Sequence, residues 1–416
     1  MLLVPQKGSK SIILILNWKI MMSVFGKDEL AMRKFASSMP VPEFEETHFV
    51  SNKLLSQAKV AIVTTAGLHR QSAPGFEIGD SDFHYETLAR DTRDLKLGHH
   101  SVNFDRGGFA ADLNVVYPID RLEELAVEGV IGAVAENHYA FAGNQSATVS
   151  EIRLDSGPHC AMKMLAENVD IVVITGTCPL CPRTVCTLAH VFEAAGLATI
   201  VITRAREVAE RMKVPRALHT VFPPGLSLGK PRDKVFQIEV LKAAFKLLEA
   251  PQGPVIQEFP ISISASDGEP LMCSLPPQMN PELHPAVDEA EALRSAYYRA
   301  LKSTKRTSVG MQSSVDEIPQ ALEKFIKIAE GENWKEVGFS NESMAATMYG
   351  TVHDIRSYYE ELACELADGP IGPWKTEQWF YDDTKAGQII LKARRAMRDS
   401  EADSSLWFGL ATAGRE

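Results

Sequence analysis

Two cysteines at the start of a helical pattern are the residues of this chain best suited to chemistry. Cys178 and Cys181 lie in the segment 170–186, DIVVITGTCPLCPRTVC, where a short β-branched run predicts a buried strand directly before them. Helical spacing follows, with Pro182 suited to the first turn and Gly196 to the end of the helix. Free N–H groups and the dipole at a helix start stabilise an anion. A thiol there can ionise well below the pKa of about 8.5 of a free cysteine.

Four interpretations of this cysteine cluster stay open at this point. In the first, Cys178 attacks as a nucleophile and Cys181 resolves the product through a disulfide. The second is a zinc site with the spacing C-x2-C-x4-C-x3-H, formed by Cys178, Cys181, Cys186 and His190. A regular helix rotates Cys186 and His190 away from the turn, which counts against zinc. The third is a set of small buried hydrophobes, and the fourth is a regulatory redox switch without turnover. The strand–CxxC–helix context favours the first.

Polar residues elsewhere are weaker candidates for substrate binding or proton transfer. They are His69, His100, Asp105, Asp112 and His138. His69 follows the first predicted strand, at the edge of the sheet where ligands bind. The pair His99-His100 lies in a polar loop, where histidines are more often exposed side chains without a function than acids or ligands. Capping and turn roles explain Asp105 and Asp112 equally well.

The order of elements predicts an α/β fold, a parallel-sheet sandwich built from βαβ units, with a mainly helical C-terminal region. Strand-like runs at 59–67, 170–176 and 197–203 alternate with helical segments. Ligands of such sheets bind beyond the carboxyl ends of the strands, where Cys178 lies. Further helices are predicted near the C-terminus at 287–303, 315–330, 341–365 and 384–399.

These patterns predict three parts of the chain. They are an N-terminal extension at 1–53, an α/β domain carrying the CxxC at 54–275, and a helical domain at 286–416. Alternation around Asp-Gly also predicts a β-hairpin over 259–277. The apolar run SIILILNW near the N-terminus is too short for a bilayer span of about 20 residues, and no cleavage site follows it. An equally good explanation is that Met21 or Met22 is the biological start and residues 1–20 are not native.

Composition narrows the class of protein. The 416 residues carry a net charge of −11 without a basic cluster, which argues against nucleic acid or an anionic membrane as the main partner. Six cysteines are too few for a disulfide scaffold, so we expect a cytosolic protein with reduced thiols. Neither a phosphate loop nor a strand-linked GxGxxG is present, so a tightly bound nucleotide is not expected. We expect a homo-oligomer that acts on a small molecule.

Several blocks of sequence resemble a known family. They are VAIVTTAGLH (60–69), IGDSDF (78–83), FDRGGFAADLNVVYPIDRLEELAVEGVIG (104–132), NHYAFAG (137–143), TGTCPLCPRTV (175–185) and FPPGLSLGKP (222–231). In order and spacing they resemble the selenoprotein B family of glycine, sarcosine, betaine and D-proline reductases, most closely its proline-reductase-like branch. The resemblance runs from about Leu54 to Pro260, about half of the chain, and does not extend to the helical C-terminal part.

The resemblance implies a reaction for the cysteine pair. In this family a selenocysteine standing shortly before a cysteine cleaves a C–N bond reductively, in a substrate activated by a pyruvoyl group of a partner subunit. Cys178 stands at the selenocysteine position, which would make it the nucleophile and Cys181 the resolving thiol. A thiolate is a poorer nucleophile and leaving group than a selenolate, so the reaction should be slower or the substrate more reactive.

We therefore expect a thiol-dependent reductase that cleaves a C–N or C–S bond of a small molecule. It would hold no bound cofactor, and an external dithiol or thioredoxin-type donor would reduce its disulfide. A pyruvoyl-type partner subunit is a further expectation. The alternatives are a zinc-binding or redox-sensing protein without turnover, and a non-catalytic subunit of a larger reductase complex.

Overall fold

The computed structural model describes residues 38–77, 82–143, 145, 148–178, 180–340, 344–367, 369–412 and 414–415. The expectations about residues 1–20, and part of the block 78–83, lie outside these ranges. Residues 39–54 form an extended segment without regular structure. Across the described ranges, no helix is both long and apolar enough for a membrane span.

Parallel β-strands form the centre of the N-terminal half, as the alternating pattern predicted. The strands are β1 (Lys59–Thr64), β2 (Leu68–Arg70), β3 (Tyr85–Ala89), β4 (Leu95–Leu97), β5 (Ala133–Val134), β6 (Asn137–Phe141), β7 (Ile171–Thr175), β8 (Ala198–Thr203), β9 (Arg216–His219) and β10 (Val255–Glu258). Within the described residues, eight of them form one sheet in the order β10-β9-β8-β7-β1-β6-β3, with β5 paired to the start of β1. Only β3 in this sheet runs antiparallel to its neighbour, and β2 pairs with β4 in a separate antiparallel ribbon.

Both faces of the large sheet are buried, because neighbouring residues of its central strands enter different cores. Ile62 and Val173 pack into one hydrophobic cluster, and Val63 and Val172 pack into the other. Strands that are apolar on both faces are typical of parallel sheets covered by helices. The covering helices are α1 (Arg106–Ala111), α2 (Ile119–Val127), α3 (Gly157–Ala166), α4 (Cys181–Ala194), α5 (Arg206–Arg211) and α6 (Lys234–Lys246).

The C-terminal region is helical, as predicted. Its helices are α7 (Pro285–Thr304), α8 (Ile318–Ala329), α9 (Met344–Leu366), α10 (Lys375–Asp383), α11 (Lys385–Asp399) and α12 (Ser404–Trp407). They pack around their own core, which includes Tyr297, Phe325, Tyr359 and Ile390. The periodicity did not predict α10, a short aromatic helix that follows Trp374 in the left-handed conformation. The domain boundaries drawn from the sequence remain predictions.

The predicted hairpin over 259–277 is wrong, because this segment contains no strand. Instead it continues beside the sheet: the Phe259 N–H donates to His219 O at 2.8 Å, and the Ile263 N–H donates to Val221 O at 2.9 Å. The alternation reflects the burial of Phe259 and Ile263 in the sheet core rather than pairing of the segment with itself. The Asp-Gly step turns the chain toward the helical region, where Gly268 packs against Gly372.

The helical region contacts the α/β region through helix α1 and the loop 99–106 before it. The backbone N–H of Trp374 donates to the Asp105 carboxylate at 2.8 Å, and the Cys364 thiol lies 3.4 Å from the Gly107 carbonyl oxygen. From α9, Arg356 reaches the carbonyl oxygen of Val102 at 3.0 Å. Helices that do not belong to the sheet therefore lie directly against a loop at its carboxyl edge.

Candidate functional site

The CxxC occupies the turn between a central strand and the helix that follows it, as predicted. β7 ends at Thr175, and Cys181 is the first residue of α4, with Pro182 in the first turn. The Gly225 N–H donates to the Thr177 carbonyl oxygen at 2.7 Å, so the loop carrying Gly225 covers this turn. The cysteines thus lie beyond the carboxyl end of a parallel strand, where α/β sheets place their ligands.

The two sulfur atoms of the motif face each other. The Sγ atoms of Cys178 and Cys181 are 2.7 Å apart, and both residues are free cysteines. The backbone N–H of Cys181 also donates to the Cys178 sulfur at 3.2 Å. Since an S–S bond is about 2.05 Å long, a small side-chain rotation is enough to join them. The pair is therefore arranged for exchange between dithiol and disulfide.

Cys181 is the enclosed member of the pair. Its sulfur is 3.7 Å from His99 Nε2, 3.6 Å from Thr177 Oγ1 and 3.9 Å from the Thr65 carbonyl oxygen. On another side the backbone of Gly143 packs so closely that a Cβ there would lie 2.2 Å from the sulfur. Cys181 is fully buried, whereas Cys178 retains 2% exposure.

His99 contributes a hydrogen-bond donor to this enclosed sulfur. Its Nδ1 accepts from the Ser101 N–H at 3.2 Å, so the neutral ring carries its hydrogen on Nε2, which faces Cys181. Burial opposes ionisation of Cys181, but hydrogen bonds from the Cys178 thiol and His99 outweigh it and hold the pKa of Cys181 well below its usual value. Burial and the neighbouring Cys181 sulfur raise the pKa of Cys178. The two thiols titrate as a coupled pair, in which Cys181 is the more acidic member.

The sequence predicted that His99 and His100 are exposed surface residues. This prediction is wrong for His99, whose side chain is buried at 5% exposure. The ribbon of β2 and β4 brings it inward, because the Gly98 N–H donates to the Gly67 carbonyl oxygen at 2.9 Å. A Cβ on Gly67 would meet Gly98 at 3.1 Å, so both glycines allow the close approach. The two glycines flanking the strands are the sequence signal that could have identified His99.

Three of the predicted residues take positions away from the thiols. His69 lies on β2, and its Nδ1 is 2.9 Å from the Arg70 carbonyl oxygen. His138 Nδ1 accepts from the Ile62 N–H at 2.9 Å, where the side chain bridges the gap between β5 and β6. Asp112 accepts from Gln237 at 2.7 Å, and such hydrogen bonds outweigh burial and lower the pKa of Asp112. In the described part of the chain, no hydrogen bond joins these three to either cysteine.

His100 and Asp105 lie on the same loop as His99. His100 Nε2 is 3.1 Å from the Phe76 carbonyl oxygen, and burial lowers the pKa of His100 to about 4. Burial raises the pKa of Asp105 to about 7, although the hydrogen bond from Trp374 opposes the shift. Its Oδ1 has no hydrogen-bond partner among the described residues. A buried carboxyl group with such a pKa is protonated in part at neutral pH and can donate a proton.

The four predicted zinc ligands are not brought together. Cys186 packs in the hydrophobic core on the opposite face of the sheet. His190 stacks on Phe44 with ring centroids 3.9 Å apart, and its Nε2 is 2.7 Å from the Met212 carbonyl oxygen. The rotation of a regular helix separates them from the turn, as the sequence indicated. The metal-ligating atoms that do converge, within 4.8 Å of one another, belong to His99, Cys178 and Cys181.

Comparison with known proteins agrees with the resemblance found in the sequence. Residues 23–177 match the sequence profile of glycine/sarcosine/betaine reductase selenoprotein B. This part of the chain is thus similar to the selenoprotein B family. The match ends one residue before Cys178, and the C-terminal helices lie beyond it.

Named relatives are subunits of reductases or their complexes. The gamma subunit of D-proline reductase from Acetoanaerobium sticklandii is 29% identical over 211 residues, covering 50% of this chain and 86% of that subunit. The component B beta subunit of the betaine reductase complex from Peptoclostridium acidaminophilum is 28% identical over 211 residues, or 49% of this chain and 47% of that subunit. The component B gamma subunit of the glycine reductase complex from Peptoclostridium litorale is 24% identical over 239 residues. The alignment covers 53% of this chain and 52% of that subunit. The chain thus spans about half the length of the betaine and glycine reductase relatives. No solved structure matches it.

Proposed function

We propose that this chain is a thiol-dependent reductase that cleaves a C–N or C–S bond of a small molecule. The observation that carries the proposal is the facing pair Cys178 and Cys181, with His99 beside it, at the carboxyl end of a central strand. Relatives named as components of D-proline, betaine and glycine reductases support it. By the family resemblance, Cys178 occupies the position of the selenocysteine, so that a sulfur atom replaces selenium.

The dithiol supplies the two electrons of the proposed reaction. The Cys181 thiolate takes the proton of Cys178, whose sulfur then attacks the substrate carbon and forms an S–C bond. The C–N bond breaks, and the nitrogen leaves with the proton from Cys181. Cys181 next attacks the Cys178 sulfur, so that an S–S bond forms and the S–C bond breaks. The carbon keeps that electron pair and takes a second proton.

Asp105 is the proposed source of that second proton. Its pKa of about 7 leaves it protonated in part at neutral pH. Its backbone packs against Gly225, whose N–H binds the residue before Cys178. Because the carbon leaves sulfur with a pair of electrons, the substrate should carry a carbonyl group next to it. An external dithiol or thioredoxin-type protein would reduce the disulfide again, and a pyruvoyl-type partner subunit would activate an amine substrate.

Alkylation tests the thiol pair without knowledge of the substrate. The reduced protein is treated with iodoacetamide at pH 6, and labelling of each cysteine is followed by peptide mass spectrometry. We expect the Cys178–Cys181 pair to react at least about tenfold faster than Cys273, because a thiolate is the reacting species. Cys186→Ser serves as the matched control and should leave the rates unchanged. Equal rates at the pair and at Cys273 would rule the proposal out.

A metal-binding or redox-sensing function is the second candidate, favoured by the convergence of His99, Cys178 and Cys181. Two thiolates and an imidazole are ligands that zinc prefers. Metal analysis of anaerobically purified protein separates the two proposals. One zinc per chain that is lost in His99→Ala but kept in Cys186→Ser supports the metal site. Protein without zinc that forms a Cys178–Cys181 disulfide on mild oxidation supports the reductase.

A further inference from the structure

Two buried arginines from different parts of the chain lie close enough to repel each other, where α1 packs against α9. Arg106 begins α1 in the α/β region, and Arg356 lies on α9 in the helical region, outside the family match. Both side chains are almost fully buried, at 3% and 2% exposure. Arg106 contacts the Ser101 carbonyl oxygen at 3.3 Å, and Ser101 in turn binds His99. One short loop therefore connects the arginines to the cysteine pair.

Arg356 has a carboxylate partner, and Arg106 does not. Arg356 forms an ion pair with Glu360, whose other oxygen accepts from Thr376 at 2.9 Å. Arg106 forms no ion pair within the described ranges, and its Nε has no hydrogen-bond partner there. Arg356 likewise keeps one terminal nitrogen, Nη2, without a partner. The two guanidinium groups and Glu360 together carry one net positive charge, and the carboxyl group of Asp105, which is protonated in part at neutral pH, interacts with Arg356.

Further polar atoms without partners lie on the same face of α9. Arg356 and Ser357 follow His353 by three and four residues, the spacings at which helical side chains are neighbours. Among the described residues, His353 Nε2 and Ser357 Oγ are buried without a hydrogen-bond partner. A buried cation without an anion and buried polar groups without partners both destabilise a fold, and a bound anion would offset this cost.

We propose that Arg106 and Arg356 form a binding site for the carboxylate of a small molecule, between α1 and α9. The planar guanidinium fork matches a carboxylate in shape. Burial lowers the pKa of His353 to about 3, so this histidine is neutral at pH 7 and adds no charge to the two guanidinium groups and Glu360. That charge suits a monoanion better than a phosphate dianion. The proposal deepens the reductase function, on which the identity of the ligand as substrate rests.

The helical region is thus part of the ligand site rather than a separate docking module. α9 supplies Arg356, His353 and Ser357, while the loop 99–106 supplies the connection to the thiols. The carbonyl oxygen of Val102 receives Arg356, and that of Ser101 receives Arg106.

Acetate and acetamide, two probes of similar shape, test the site directly. Line broadening of the ¹³C resonance of each probe is measured with the full chain. We expect acetate to broaden and acetamide not to, and Arg106→Met to weaken acetate binding at least about tenfold. Arg306→Met is the matched control, since Arg306 also reaches α1, at the Ala110 carbonyl oxygen, but on another side. Acetate binding that survives Arg106→Met overturns the proposal, as does its absence from the wild-type protein.

The alkylating agents iodoacetate and iodoacetamide locate the site relative to the thiols. The ratio of their rates at Cys178 is compared with the same ratio at Cys273, which corrects for intrinsic reactivity. We expect the ratio at Cys178 to favour iodoacetate by about tenfold and to fall to the Cys273 value in Arg106→Met. No preference at Cys178 would refute the placement beside the thiols. Slow alkylation by both reagents, with acetate binding intact, would refute the reductase proposal but not the carboxylate site.

Discussion

Nε2 of His99 lies 3.7 Å from Sγ of Cys181, although 82 residues separate the two in the chain. The contact joins the ribbon of β2 and β4 to the turn after β7, so the acidity of the thiol pair depends on two separate elements. The loop that starts at His99 continues to Asp105 and Arg106, where the helical region packs. Eight consecutive residues, 99–106, therefore link the thiol pair to the Asp105 carboxyl group and to the two buried arginines.

Replacing His99 with alanine should make the thiol pair less acidic. Loss of the Nε2 donor removes one of the hydrogen bonds that lower the pKa of Cys181, so this pKa rises. We expect iodoacetamide labelling of Cys178 and Cys181 at pH 7 to slow by about tenfold and the pH midpoint of labelling to move upward. Mass spectrometry over a pH series measures both. Labelling of Cys273 provides an internal control, and an unchanged midpoint would show that His99 does not act on the pair.

Substitution of Gly143 by alanine should disrupt the pair through crowding. The added Cβ would lie 2.2 Å from the Cys181 sulfur and 3.1 Å from the Thr65 carbonyl oxygen. Cys181 must then shift, and we expect at least about tenfold slower formation of the Cys178–Cys181 disulfide with little change in helix content. Gly369→Ala is the control, because its Cβ would meet nothing within 4 Å. Normal disulfide formation in Gly143→Ala would contradict the enclosed position of Cys181.

Stability should fall as the pH rises through the titration of Asp105. Its pKa rises from 3.8 in the unfolded chain to about 7 in the fold. The stabilising contribution is therefore complete below about pH 4 and is lost as the pH approaches 7. Relative to Asp105→Asn, the wild-type protein should lose about 3 kcal/mol of unfolding free energy between pH 5 and pH 8.

Denaturant titrations of both proteins at these two pH values measure the effect. At pH 5 the wild type has already lost part of this contribution, so Asp105→Asn, whose amide oxygen still accepts from the Trp374 N–H, should be more stable by about 1.7 kcal/mol. The exposed substitution Asp91→Asn is the control for a general charge effect. A constant difference between Asp105→Asn and the wild type at both pH values would show that Asp105 does not titrate in this range.

The two buried arginines should respond oppositely to replacement by methionine. Arg106→Met removes a cation that has no ion pair within the described residues, so the unfolding free energy should stay the same or rise. Arg356→Met leaves the Glu360 carboxylate buried without its cation and should cost about 3–5 kcal/mol. Urea denaturation compares the variants. An equal loss in both would mean that Arg106 contributes to stability as Arg356 does, and would remove the reason to expect an anion there.

Much of the fold follows from local patterns in the sequence. The β-branched run before Cys178 becomes β7, and Pro182 and Gly196 mark the start and end of α4 as expected. These predictions succeed because period, capping and turn residues act over a few positions. The hairpin over 259–277 failed because the same alternation describes a chain that buries Phe259 and Ile263 beside another strand.

The sequence by itself determined where the two cysteines stand, since a strand, a turn and a helix start are encoded within 17 residues, 170–186. It also indicated that Cys186 and His190 would turn away, because helical rotation is a local property. Only the tertiary structure decided that His99 reaches Cys181 and that Arg106 meets Arg356, across 82 and 250 residues. Such contacts depend on how the β2–β4 ribbon and the C-terminal helices pack against the sheet edge, which no local pattern specifies.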